Sequence, residues 1–244
     1  MANGWFQFKR FLVRQDRCAM KVGTDGVLLG AWAPLDGGTP VLDIGAGTGL
    51  VALMAAQRLE QSGCPGFHGS KCVMAVELDP ATAMQASENF AASPWSCSME
   101  CRCGNISEFD CGYRFGTILC NPPFFRDSLR CPDSLRNSAR HGDSLSFEEL
   151  AVCVGRLLES DGLFSAIVPV GGVPALCHAF SLQSMYPARR TDVCTVTGRP
   201  PKRSLVTFSK VLSPCQYGCL DMTGPDGGQT PEYAGLIGDF YLKG

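Results

Sequence analysis

Short apolar runs alternate with amphipathic stretches along most of the chain. Residues 41–44 form a buried-type run ending at a glycine cluster, and residues 50–59 come next with helical character. Residues 73–76 predict a second strand, and residues 80–92 an alanine-rich helix with Pro80 suited to its first turn. Two further strands are expected over 99–103 and 117–120, the latter stopped by Pro122 and Pro123. Residues 147–158 predict a helix that Gly162 ends, 163–168 a buried strand, and 173–182 another helix. The segments 193–197 and 205–211 carry β-branched residues on either side of Gly198-Arg199-Pro200-Pro201, the pattern of a hairpin. A glycine-rich loop, residues 224–228, precedes a last helical segment. Strands alternating with helices predict an α/β fold. Its sheet is expected to be seven-stranded and mixed but mostly parallel, with helices on both faces and an antiparallel C-terminal hairpin at one edge.

The chain has 244 residues, of which 45% are hydrophobic and 18% charged, which suits one buried core and excludes a disordered chain. One domain is therefore expected over 1–244, with a basic extension at 1–22, a core at 23–211, and a C-terminal loop and helix at 212–244. No apolar run reaches the roughly 18 residues of a membrane span. The first residues show no signal-peptide pattern, so a cytoplasmic monomer with reduced thiols is expected. Fourteen cysteines are present without a single CxxC pair. The closest groupings, Cys97 with Cys101 and Cys103, and Cys215 with Cys219, lack a nearby histidine, so no metal site is expected.

Net charge is −2 but unevenly spread. Residues 1–22 hold five Lys/Arg against one acid, and residues 189–210 hold six against Asp192. Residues 41–120 hold four basic and eight acidic residues. An acidic protein can still present a local basic face.

The glycine cluster is Asp43-Ile44-Gly45-Ala46-Gly47-Thr48-Gly49, placed between a strand and a helix. Glycines there let the backbone turn sharply and approach a ligand closely. A dinucleotide fingerprint needs a third glycine where this chain has Leu50, which counts against a nicotinamide dehydrogenase. Asp43 would repel a pyrophosphate but suits an ammonium group. Glu77, ending the second strand, can accept from two ribose hydroxyls. Ammonium plus ribose without phosphate describes S-adenosylmethionine.

Asn121-Pro122-Pro123-Phe124 comes after the fourth strand, at the sheet edge where open α/β folds bind ligands. The Asn121 amide oxygen and the Pro122 carbonyl can accept both hydrogens of a planar amino group, while Phe124 stacks on its ring. Holding those hydrogens aims the nitrogen lone pair at a methyl donor.

These features resemble the class I S-adenosylmethionine-dependent methyltransferases over roughly residues 20–211. The resemblance implies that Gly45, Gly47 and Gly49 bend around the cofactor and that Glu77 binds its ribose. Asn105 stands where an adenine-binding acid is usual, and Asn121 touches both cofactor and substrate. The tetrapeptide resembles that of amino-group methyltransferases acting on adenine, cytosine or a glutamine amide. Further segments are Met20 to Trp32, Gln15-Asp16, Ser93-Pro94-Trp95 and residues 128–141 with Cys131-Pro132-Asp133 and Ala139-Arg140-His141. They are similar to the bacterial tRNA adenine-N6 methyltransferases that modify the adenine beside the anticodon of a valine tRNA. This implies that Thr24 and Asp25 flank the cofactor. It also implies that Lys9, Arg10, Arg14, Lys21, Arg126, Arg130, Arg136 and Arg140 face RNA. His141 is not required as a base, because the proton can leave to water after transfer. The alternatives are a protein glutamine-amide methyltransferase, which would not need the basic clusters, and a non-catalytic RNA-binding module, which would not need the tetrapeptide.

Overall fold

The computed structural model describes residues 3–36, 38–65, 67, 70–122 and 145–242. Pro123, Phe124, Arg126, Arg130, Arg136, Arg140 and His141 lie outside the described residues.

The N-terminal segment forms a small antiparallel hairpin, β1 (Trp5–Gln7) and β2 (Leu12–Arg14). Phe8 and Phe11 in its turn stack with ring centroids 4.7 Å apart and are buried in the core, as is Val13. Helix α1 (Thr24–Trp32) is buried from Gly26 onward. The α/β core then runs β3 (Val41–Ile44), α2 (Leu50–Gln61), β4 (Val73–Glu77), α3 (Pro80–Ala91), β5 (Met99–Cys103) and β6 (Phe115–Cys120). After it come α4 (Phe147–Leu157), β7 (Leu158–Pro169), α5 (Val173–Ser181), β8 (Tyr186–Val196), β9 (Arg203–Ser209), β10 (Gln216–Thr223) and α6 (Pro231–Ile237).

Local signals fix several boundaries. Asp79 caps α3, its carboxylate accepting from the Thr82 N–H at 2.8 Å, with Pro80 next in line. Ser146 and Glu149 form a reciprocal capping box at the start of α4.

The main sheet has strand order β10-β8-β9-β7-β6-β3-β4-β5, and β9 alone runs antiparallel to the rest. Alternation along β3 divides the core between the two sheet faces: Val41 packs with α1 and α2, while Leu42 and Ile44 pack with α4 and α5.

Three expectations need correction. The sheet has an eighth strand, β10, inside the segment read as loop and helix. On that strand Leu220 alone is buried, so no period-2 pattern marks it. The β8–β9 hairpin is consequently interior, with β10 covering it in parallel. Gly162 lies within β7 and does not end α4. A Cβ there would fall 2.9 Å from the Gly116 carbonyl oxygen, so glycine lets β7 close on β6.

Candidate functional site

Strands β3 to β7 are parallel, so their carboxyl ends share one edge, and there the chain forms a cavity of about 930 Å³. Gly45 and Gly47 have φ of +69° and +55°, and a Cβ on either would meet nothing within 4 Å. Both line the cavity, so the glycine loop presents bare backbone to open space.

Gly49 behaves differently from the expectation for it. It does not line the cavity; it caps α2 at φ +80°, and a Cβ would lie 2.5 Å from Phe90 Cε1. Its glycine is required by the turn and by packing against α3.

Glu77 lies at the carboxyl end of β4, half-buried. One carboxylate oxygen accepts from the Gly47 N–H at 2.9 Å and the other from the Asp79 N–H at 3.1 Å. Each oxygen retains a lone pair for a further donor. Asp43 is 1% exposed and accepts from the Ala52 N–H in the first turn of α2 at 3.1 Å. Burial pushes its carboxyl from an ordinary 3.8 up to about 7, opposed by that hydrogen bond and reinforced by the Glu77 charge. An anion here lacks a cation among the described residues.

Thr24 and Asp25 begin α1 and line the cavity. The Asp25 carboxylate accepts from Arg203 Nε at 2.9 Å, joining α1 to the first residue of β9. Asn105 also lines the cavity, but the amide oxygen expected to receive an amino group already accepts from the Ser107 N–H at 3.0 Å. One lone pair remains on that oxygen.

Asn121 and Pro122 come directly after β6 and line the same cavity. The Asn121 Oδ1 atom is buried and no described residue donates to it. A buried acceptor without a donor is uncommon and costs about 1–3 kcal/mol, so its persistence marks a place for a ligand donor. Gly26 on α1 packs closely on the start of α2: a Cβ on it would lie 3.2 Å from Leu50 Cδ2, and 3.8 Å from Asn121 Nδ2, an ordinary contact.

No protein-family model matches the chain. Curated relatives match along its whole length. One from Bacteroides fragilis, named tRNA1(Val) (adenine(37)-N6)-methyltransferase, is 44% identical over 246 residues and covers 100% of both chains. A relative of the same name from Bacteroides thetaiotaomicron is 46% identical, covering 86% of this chain and 85% of its own. One from Klebsiella pneumoniae is 42% identical, covering 98% and 95%. The chain belongs to the tRNA1(Val) (adenine(37)-N6)-methyltransferase family.

The fold likeness reaches wider than this family. A predicted O-methyltransferase from Agrobacterium tumefaciens superposes with a TM-score of 0.66 at 20% identity, over 88% of this chain and 96% of that one. A glycopeptide N-methyltransferase solved with S-adenosylmethionine gives 0.52 at 15% identity, over 78% and 99%.

For this member of the tRNA1(Val) (adenine(37)-N6)-methyltransferase family, the structure sorts the cations expected to face RNA. Lys21 is exposed on the cavity wall. Arg10 pairs with Glu60 at 2.6 Å and lies over the Trp95 ring. Glu60 is in the last turn of α2, about 15 Å along the helix from its cavity end. Lys9 donates to the Gly238 carbonyl just after α6. These two residues anchor the N-terminal hairpin away from the cavity. Arg14 is exposed on β2, its backbone N–H and carbonyl both bonded to Asn89 at 2.9 Å.

Several residues that line the cavity were given no site role from the sequence. Asp79, Leu78 and Met20 line the cavity, the last two as exposed apolar side chains. The Asp79-Pro80 pair is a helix-start signature that could have placed Asp79. Arg203 could not be found, since its partner Asp25 is far away in sequence. Among the described residues no cysteine enters the cavity as a reactive group: Cys120 lines it but is buried, and burial raises its thiol. Cys219 meets Cys194, not Cys215, with sulfurs 3.7 Å apart, and Asp221 joins them within 4.8 Å. No helix among the described residues is long and apolar enough to cross a membrane.

Proposed function

We propose that this chain is an enzyme that transfers a methyl group from S-adenosylmethionine to N6 of the adenine at position 37, beside the anticodon, of a valine tRNA. The observation that carries the chemistry is the buried, unpartnered Asn121 Oδ1 on the cavity wall. The relatives' names favour RNA over a protein amide as acceptor.

The cavity residues fit the cofactor. The bare backbone at Gly45 and Gly47 leaves room for its amino-acid part, and Glu77 keeps a lone pair on each oxygen for the ribose hydroxyls. Asp43 offers a buried carboxyl to the ammonium end, and a cation there restores the carboxylate that burial opposes. Asn105 and the Thr24–Asp25 helix start complete the enclosure. When bound, S-adenosylmethionine supplies a methyl on a sulfonium, already an excellent leaving group.

The protein's task is then orientation. Asn121 Oδ1 accepts one hydrogen of the adenine N6 group and the Pro122 carbonyl the other; Phe124, expected from the sequence to stack on the base, lies outside the described residues. With both hydrogens held, the nitrogen lone pair points along the line of attack. Asp43, Gly45, Gly47 and Glu77 would hold S-adenosylmethionine to supply the methyl to that nitrogen, and the surplus proton would leave to water. A base in an anticodon loop reaches such a cavity by flipping out of its stack, which costs least in a loop. The reaction belongs to the cytoplasm, where tRNA is matured.

The test is direct. Purified protein is incubated with unmodified valine tRNA and S-adenosylmethionine, and the nucleosides are analysed by mass spectrometry. New N6-methyladenosine mapped beside the anticodon is expected. Methyl transfer to a glutamine-containing peptide and not to RNA would overturn the assignment.

A further inference from the structure

Six cations lie between residues 189 and 210, and four are spent inside the fold. Arg189 lies 4.4 Å over the Trp32 ring, and Arg190 grips Asp192 through two bonds of 2.8 and 3.0 Å. Arg203 holds Asp25, and Lys210 donates to the Gly155 and Leu158 carbonyls at 3.0 and 2.7 Å. The remaining two, Arg199 and Lys202, are exposed in the β8–β9 turn, and neither side chain has a partner among the described residues.

The backbone under those two charges is fixed. The Arg199 N–H donates to the Val196 carbonyl and the Lys202 N–H to the Val193 carbonyl, both at 3.0 Å. The Lys202 carbonyl accepts from the Val170 N–H at 3.3 Å and from Arg203 at 3.2 Å. Gly198 takes φ +78°, and Pro200 and Pro201 stiffen the backbone between Arg199 and Lys202. Free cations on a pre-ordered turn lose little entropy on meeting an anion.

Position decides which anion. β8 runs parallel to β3 through β7, so its turn leaves the sheet at the cavity's edge, and Arg203, next to Lys202, bonds a cavity-lining residue. In strand order the turn stands between Asn121, after β6, and the outer loop after β10 with the start of α6, which carry Asp226 and Glu232 respectively. β9 lies two strands from β6, roughly 10 Å. A polyanion leaving the cavity meets cations at the turn and acids beyond it.

We propose that the β8–β9 turn is a docking element for the tRNA. Arg199 and Lys202 contact backbone phosphates close to the flipped adenine, and the Arg203–Asp25 pair holds the turn in register with the cavity. This rests on the tRNA reading above and names the face along which the RNA runs. It also moves the expected RNA contacts away from Lys9 and Arg10.

The test compares the unsubstituted enzyme with the Arg199→Ala/Lys202→Ala double variant on unmodified valine tRNA over a range of salt. KM for tRNA should rise about tenfold with kcat within about twofold. The slope of log kcat/KM against log salt should become shallower by roughly 1.4 to 1.8, the value of two lost phosphate contacts. S-adenosylmethionine affinity and melting midpoint should not move, and Arg199→Lys/Lys202→Arg should restore the slope. An unchanged KM and slope in the alanine variant would overturn the proposal. So would a loss that tracks cofactor affinity or stability, because the turn would then be merely structural. Failure of the unsubstituted enzyme to methylate tRNA is a separate result, read before any variant, and overturns the underlying assignment and the docking surface together.

Discussion

Glu77 and Asn121 stand at the carboxyl ends of β4 and β6, two strands apart across β3, and both put an acceptor on the cavity wall. Their states differ. Both Glu77 oxygens are held by backbone N–H groups of the site itself. The Asn121 oxygen is buried with no donor among the described residues. A wall whose acceptors are already oriented is formed before its ligand arrives; an orphaned acceptor is completed only when a donor enters. The cofactor side of this site is thus built in advance, and the acceptor side waits for the amino group.

The largest effect should come from breaking the unfinished side. Asn121→Ala removes the acceptor and should cut single-turnover methylation by about a thousandfold, the upper range for deleting one transition-state hydrogen bond. Cofactor affinity by calorimetry should stay within about threefold. Comparable losses in both would mean that Asn121 serves the cofactor instead of the acceptor.

The next two predictions separate fold from binding on the finished side. Gly49→Ala forces a side chain into φ +80° and places its Cβ 2.5 Å from Phe90 Cε1. Left-handed strain plus overpacking should cost roughly 2–5 kcal/mol in denaturant unfolding. Gly47→Ala meets only open space, so its stability cost should be about 1–2 kcal/mol, with cofactor affinity suffering more. Equal unfolding costs would erase the distinction drawn between these two glycines. Glu77→Gln keeps the shape but loses the charge-assisted bonds, and should weaken cofactor binding by about 10- to 100-fold while an RNA gel shift without cofactor stays unchanged.

Legibility in the sequence runs along the same divide. The strand, glycine loop and helix from Val41 to Gln61, and the strand ending at Glu77, announce themselves by local pattern, because periodicity, turn glycines and a helix start all agree there. Asn121 was legible because two prolines stop a buried strand beside it. The edge strand β10 was not, since Leu220 is its one buried residue and neither face of it carries an apolar row. Nor was the fate of the cations. Arg10 with Glu60, Arg203 with Asp25 and Lys210 with the end of α4 are partners that only the fold brings together. Gly49 looked like its neighbours in the loop because its distinguishing contact, Phe90, comes from the next helix.

The smallest effect concerns Asp43, where the finished side carries a charge it does not yet need. Burial raises its carboxyl to about 7 in the folded protein, from an ordinary value of 3.8. Between those values the folded state holds a proton that the unfolded chain has released. Stability without ligand therefore falls as pH rises, and the loss is complete once pH passes the folded value. From pH 6 to 8 the fall should be about 1 kcal/mol, given 1.36 kcal/mol per unit below the folded pKa and none above it. Asp43→Asn should flatten this slope in urea unfolding. Saturating S-adenosylmethionine should flatten it too, because an ammonium beside the carboxyl favours its ionised form. A slope that survives Asp43→Asn would place the titration elsewhere. One that vanishes in the variant but persists with ligand would remove Asp43 from the ammonium end, leaving it as the residue that ties β3 to the first turn of α2 through Ala52.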